Sequence, residues 1–173
     1  DLHTAYRRQR QMCIRDSLDT EAKTQQEVCG NLFVILNHLE VLRDDWKGYV
    51  KEAKNMLLES ELSAEQRKEF ESVFTEKIME QLMVYFVFTY FCGAVYDEQA
   101  YGKLKFAVAG CILIRALAKG VFLKNGTLEF SDVAEAARRY AREVEHSDFN
   151  KCKMEQMLQD EGKFGLEKLF VIL

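Results

Sequence analysis

The sequence holds one dense group of side chains that could take part in acid–base chemistry, the segment Glu143–Asp148 with the letters EVEHSD. An imidazole beside carboxylates can move a proton, or accept one from a lysine amine. A structural role is favoured, because a protonated His complements the dipole of a helix C-terminus and the Ser and Asp that follow it can cap the next helix. The pattern therefore leaves Glu143, Glu145 and His146 as candidate catalytic residues.

The other residue types that carry chemistry are scattered along the chain. The glycines never follow the G-x-G-x-x-G spacing that cradles a phosphate, and no Ser lies in a nucleophile elbow. His38 lies beside an apolar helical stripe, where a surface or capping role is expected. Outside residues 1–17 the cysteines form no C-x-x-C pair and no metal-ligand spacing, which predicts reduced intracellular thiols and no metal site: Cys29, Cys92, Cys111 and Cys152.

Residues 1–17 (DLHTAYRRQRQMCIRDS) do not resemble a natural protein segment. Back-translated, Arg7–Asp16 resembles a sequencing adapter that runs into a transposase end, and Asp1–His3 fits the flank before a sample index. We expect a non-native extension with no fixed place in the fold. A basic arm for nucleic acid is the less favoured alternative. The adapter interpretation also predicts that the chain is a C-terminal fragment, with residues 18–173 forming a single helical domain.

The net charge argues against nucleic acid and anionic lipid as partners, and the length of the longest apolar run argues against a membrane span. Without the four Arg and two Asp of residues 1–17, the formal charge of −4 becomes about −6, which disfavours nucleic acid and anionic lipid. The run Leu82–Tyr96 is uncharged, but its about fifteen residues are fewer than the about twenty that a helix needs to span a bilayer. We predict a buried core helix, with its aromatic residues packed in the core rather than forming a stacking platform.

Helical periodicity predicts an all-α fold. Apolar residues recur at helical spacing, proline is absent, and Ser63–Gln66 has the form of a capping box. Leu82–Tyr96 and the next apolar segment are predicted to form a buried central hairpin in an irregular antiparallel bundle of about six or seven helices. In the first half, the predicted helices are Asp19–Leu42, a helix capped by Asp44 or Asp45, and a helix from Ser63 into Leu82–Tyr96 that is followed by a turn at Asp97–Gln99. In the second half, they are Lys103–Leu123, ended by Lys124–Gly126, a helix capped by Ser131 that ends near Glu145, and a helix from Ser147 or Asp148 through Leu158. A tail at Leu166–Leu173 is predicted to dock onto the body.

Three blocks of the sequence resemble the C-terminal half of the bacterial flagellin lysine-N-methylases. The order and spacing of the blocks are similar to those of the family: Leu82–Asp97, Lys103–Arg115 and Tyr140–Asp148. Arg115 and the Glu143–His146 cluster match the family pattern, so the resemblance makes Arg115 a fourth candidate catalytic residue. Thr89 departs from it, because the family has an Arg there, and this removes a charge from any buried pairing at that position.

The resemblance implies a protein-lysine N-methyltransferase that transfers methyl groups from S-adenosylmethionine to surface lysines of flagellin in the bacterial cytoplasm. It also implies a Cys-rich N-terminal region holding an iron–sulfur cluster, and that cysteine pattern is not in this sequence. We therefore expect no cofactor in this chain, no methyl transfer by it alone, and flagellin and the Cys-rich region as partners.

The alternative is a helical interaction or ligand-binding module, such as the dimerisation half of a bacterial regulator. The two hypotheses differ in what an intact reading frame would contain upstream. Cysteine clusters would favour the methylase, and a helix-turn-helix would favour the regulator.

Overall fold

The structure is a computed structural model that describes residues 23–94 and 99–172, without the side chain of Cys92. The predicted adapter segment, Val95, Tyr96 and most of the predicted turn at Asp97–Gln99 lie outside the described residues. The described part is all-α, which confirms the predicted class. Its helices are α1 (23–38), α2 (Trp46–Glu59), α3 (Ala64–Val73), α4 (Glu76–Tyr90), α5 (Ala100–Asn125), α6 (Phe130–Tyr140), α7 (Asp148–Met157), α8 (Glu161–Phe164) and α9 (Leu166–Phe170), with a 3₁₀ turn at Phe91–Gly93 and a π-helical turn at Ala141–Glu145.

Helix α5 is the central element, and α2, α4 and α6 pack around it. Small residues allow these close approaches: a Cβ on Gly110 would lie 2.8 Å from the Phe86 ring, and one on Gly120 would lie 2.7 Å from Cα of Ala53. By length and composition α5 could cross a membrane, but 78% of its most apolar window is buried inside the protein. Its apolar character is therefore accounted for by packing against the other helices.

The predicted hairpin forms, since α4 packs against α5, but the prediction that Leu82–Tyr96 is buried is wrong. Phe86 is the buried residue of α4, with 0% exposure, whereas Phe88 is 79% exposed and Phe91 is 42% exposed. The run is apolar on all sides, so its sequence carries no amphipathic signal that marks the inner face. The core-packing interpretation holds for Phe86 and fails for the exposed rings.

Local capping signals placed several helix ends correctly. Ser63 and Gln66 form the reciprocal capping box of α3, and Gly126, with φ of 75°, ends α5 in the left-handed conformation. Ser147 caps α7, since its Oγ accepts the backbone N–H of Asn150 at 3.1 Å. Each of these signals needs only a few neighbouring residues, so it can be recognised without tertiary information.

Three other predicted boundaries are corrected by the structure. The helix predicted to run from Ser63 into Leu82–Tyr96 is interrupted, because Thr75 caps a new helix, α4. Helix α6 is capped by Glu129 together with Asp132, rather than by Ser131. Asp45 is the N-cap residue of α2 but makes no side-chain cap bond.

The C-terminal tail docks onto the body, as predicted. Leu169 is fully buried in the core. The Gln25 side chain donates to the carbonyl of Val171 at 2.7 Å, and Arg115 Nη1 donates to the carbonyl of Ile172 at 3.2 Å. The end of the described chain is therefore held by α1 and α5.

Candidate functional site

The Glu143–His146 cluster lies on a π-helical turn that continues α6. The turn spans Ala141–Glu145, and the backbone N–H of His146 closes it by donating to the carbonyl of Ala141 at 3.1 Å. Single π-helical turns are rare in proteins as a whole, but a large share of them lie at functional sites. The extra residue of such a turn changes the direction of the side chains that follow. In this chain the turn directs Glu145 towards helix α4.

Glu145 accepts two tyrosine hydroxyls from α4 through the same carboxylate oxygen. The hydroxyl of Tyr85 donates to Glu145 Oε2 at 2.8 Å, and the hydroxyl of Tyr90 donates to the same atom at 2.6 Å. Tyr85 is 49% exposed, while Tyr90 and Glu145 are partly buried. These three residues are called the open site below, because solvent reaches them.

The tyrosines of the open site stay protonated well above neutral pH. Burial, followed by the hydrogen bond to Glu145 and its charge, raises the pKa of Tyr90. The pKa of Tyr85 is raised by the same causes in the same order, and Thr89 opposes them by hydrogen bonding to the hydroxyl. Both phenols therefore donate their single proton to Glu145.

The floor of the open site is a packed aromatic cluster. The ring of Phe86 lies between Tyr90 and Tyr140, at centroid distances of 6.1 and 5.9 Å. Tyr90 also packs edge-on against Phe106 of α5 at 4.9 Å. Phe86, Phe106 and Tyr140 are all fully buried, so the two hydrogen-bonding tyrosines rest on a rigid apolar base.

Glu143 is buried and holds the chain between α1 and α2. The backbone N–H of Leu42 donates to its Oε2 at 2.9 Å, while Oε1 is buried with no hydrogen-bond partner in the described structure. Asn150, also buried, donates to the carbonyls of Glu143 and Glu40 at 2.6 and 2.8 Å. These contacts give Glu143 a structural position, removed from solvent.

The other two sequence candidates lie in different surroundings. His146 is exposed at the end of the π-helical turn. Arg115 contacts the C-terminal segment, and burial lowers its pKa from the ordinary value, with Glu71 acting in the opposite direction. The structure thus brings Glu145, rather than all four candidates, together with side chains suited to bind a ligand.

A second tyrosine–glutamate pair is completed by a lysine of the chain. The hydroxyl of Tyr101 donates to Glu161 Oε2 at 3.0 Å, and the ammonium of Lys105 donates to Oε1 of the same carboxylate at 2.7 Å. Lys105 Nζ also lies 5.1 Å from the centre of the Tyr101 ring. Tyr101 and Glu161 are exposed, whereas Lys105 is only 2% exposed. These three residues are called the closed site below, because the chain itself supplies the cation.

The cysteine side chains that the structure describes lie on three separate helices. Cys29, Cys111 and Cys152 are free, and they lie on α1, α5 and α7. Burial raises the pKa of Cys111 to about 12 and also raises that of Cys29. No group of three or more His, Cys, Asp or Glu residues in the described ranges could hold a metal ion.

Sequence reasoning singled out Glu145 and missed its two partners. The sequence predicts Tyr85 and Tyr90 in the core with the other aromatic residues of the run. Their separation of five residues matches no regular helical face, so only the packing of α4 beside the π-helical turn shows that they share a ligand. The signal that could have been used is the presence of a hydroxyl on each ring, because a half-buried Tyr needs a polar partner.

Comparison with known families gives a match over almost the whole chain. The family model described as the FliB lysine N-methylase C-terminal domain matches residues 3–172. No curated protein and no solved structure matches the chain. The match begins at residue 3, so it includes most of residues 1–17. The interpretation of that segment as an adapter stays a prediction. The chain belongs to the FliB lysine N-methylase C-terminal domain family.

Proposed function

We propose that this chain is the helical C-terminal part of an enzyme that methylates lysines of flagellin in the bacterial cytoplasm, and that it binds flagellin rather than performing the transfer. The observation that carries the proposal is the family match over residues 3–172. The match favours the methylase over a regulator's dimerisation half. The formal charge of −4 for the whole chain suits a partner that presents lysines.

The transfer chemistry is proposed to reside in the Cys-rich N-terminal region that the resemblance implies. Methyl transfer needs a donor and an amine held in line at close to bonding distance. The proposed donor is S-adenosylmethionine, and neither it nor an iron–sulfur cluster is assigned to residues of this chain. The free thiols of Cys29, Cys111 and Cys152 lie on three different helices, which supports this division.

The test compares this chain with a longer protein. Each is incubated with purified flagellin and S-adenosylmethionine labelled in its methyl group. We expect no label on flagellin with the chain alone, and label on flagellin lysines when an upstream Cys-rich region from a complete reading frame is restored. Label transferred by the chain alone would contradict the proposed division. Failure of the restored protein to transfer label would contradict the proposed activity.

A further inference from the structure

We propose that the open site, formed by Tyr85, Tyr90 and Glu145, binds the ε-ammonium group of a lysine presented by flagellin. This inference rests on the proposed function and adds the contact by which the chain would recognise its substrate. It starts from the hydrogen-bond inventory of the three side chains.

The open site presents acceptors and a negative charge. Each tyrosine gives its only hydroxyl proton to Glu145 Oε2. The Tyr85 oxygen also hydrogen-bonds to Thr89, so the Tyr90 oxygen is the hydroxyl that keeps acceptor capacity for a ligand. The other carboxylate oxygen, Oε1, bonds to no described residue, and no basic side chain in the described ranges forms an ion pair with Glu145. A lysine ammonium carries three N–H donors and no acceptor, so it matches the Tyr90 hydroxyl oxygen and Oε1 of Glu145.

The closed site shows that the chain already binds a lysine with the same parts. There Tyr101 donates to one oxygen of Glu161, and the ammonium of Lys105 takes the other at 2.7 Å. The open site has a carboxylate with one oxygen likewise occupied by tyrosine. It lacks the internal lysine, and it has a second tyrosine instead. A lysine from another molecule would complete it in the same way.

A neighbouring carboxylate, Glu155, is already paired within the chain. Glu155 lies near enough to Tyr90 to raise its pKa further. Glu155 is itself paired with Lys103, with Nζ and Oε1 2.6 Å apart. One carboxylate is thus neutralised within the chain, and the charge of Glu145 remains to attract the ligand.

The experiment measures the affinity of the purified chain for purified flagellin at low salt. Glu145→Gln keeps the shape of the side chain and removes its charge, and we expect it to weaken binding by about tenfold, the usual scale for a charge-assisted hydrogen bond. The matched control is Glu52→Gln, which removes a carboxylate from an exposed ion pair with Lys124 on a different part of the surface. We expect the control to bind within about twofold of the unmodified chain.

The outcomes separate the lysine site from the proposed activity. Equal affinities for Glu145→Gln and Glu52→Gln would overturn the lysine site and leave methylation untouched. Absence of binding by the unmodified chain would also overturn the lysine site. If the longer protein then still labelled flagellin, the proposed activity would stand without it.

Discussion

In the closed site, Lys105 and Tyr101 of α5 both donate hydrogen bonds to Glu161, so the carboxylate holds α8 against the central helix. In the open site, a carboxylate on a π-helical turn receives two tyrosines and no internal cation pairs with it in the described structure. Both sites combine a glutamate with tyrosine hydroxyls. They differ in whether the chain supplies the lysine.

This difference indicates that the same chemistry serves two purposes. A buried ammonium such as that of Lys105 must be paired, because an isolated charge is costly to remove from water. The closed site therefore contributes to packing. Glu145 keeps access to solvent and does not need an internal partner, which leaves the open site available to a cation from outside.

The largest expected effect comes from removing the floor of the open site. Phe86→Ala should lower the free energy of unfolding by about 3–5 kcal/mol, because the ring is fully buried between α4, α5 and α6. Phe88→Ala, two residues away, should change it by less than about 0.5 kcal/mol, since that ring is exposed. Denaturant unfolding followed by circular dichroism measures both, and equal losses would contradict the assigned faces of α4.

The sequence predicted the helices and several of their ends, but it did not predict which face of α4 is buried. Ser63, Gly126 and Ser147 act through neighbouring residues, so their roles could be predicted locally. Phe86 and Phe88 have the same side chain in the same apolar run, and only the position of α5 decides which one is buried.

For a related reason, the sequence predicted Glu145 of the open site but not its two tyrosine partners. Glu145 stood out because charged residues cluster around it. Its partners Tyr85 and Tyr90 are about sixty residues away in sequence, and the π-helical turn that brings them together has no local sequence signal.

The next largest effect concerns Tyr90, the more strongly bound tyrosine of the open site. Its pKa is raised in the folded state, first by burial and then by Glu145. Above pH about 10, the unfolded chain therefore loses this proton before the folded chain does, and stability falls as pH rises. Tyr90→Phe should make the alkaline fall in melting temperature shallower. Tyr101→Phe is the matched change in the closed site. If the melting temperature of Tyr90→Phe fell with alkaline pH as steeply as that of the unmodified chain, the prediction would be contradicted.

A smaller effect is expected when the closed site is emptied. The hydrogen bond from Lys105 is the main cause that holds the pKa of Glu161 below its ordinary value. Glu161 therefore contributes stability above the ordinary carboxyl pKa, which is lost as the pH falls through the lower folded value. Lys105→Met keeps most of the buried volume and should return the pKa of Glu161 towards its ordinary value. A carbon-detected NMR titration measures the change, and an unchanged pKa would show that Lys105 does not bind Glu161.

The smallest expected effect comes from deleting residues 1–17. If this segment is an adapter-derived extension, the melting temperature should not change within error, and both tyrosine–glutamate sites should be unaffected. A fall of several degrees, equivalent to about 1–2 kcal/mol for a domain of this size, would show that the segment is part of the fold.

The most direct test of the open site is an NMR titration of the chain with Nα-acetyl-lysine methylamide and with its ε-trimethylated form. The ε-ammonium of the lysine compound offers three N–H donors and the trimethylated ε-ammonium offers none, although both carry the same charge. The account predicts that the lysine compound shifts the ring resonances of Tyr85 and Tyr90, that the trimethylated compound binds several-fold more weakly, and that Tyr101 is unaffected because Lys105 already fills its site. Equal binding of the two compounds, or equal shifts at Tyr101, would contradict lysine recognition by the open site.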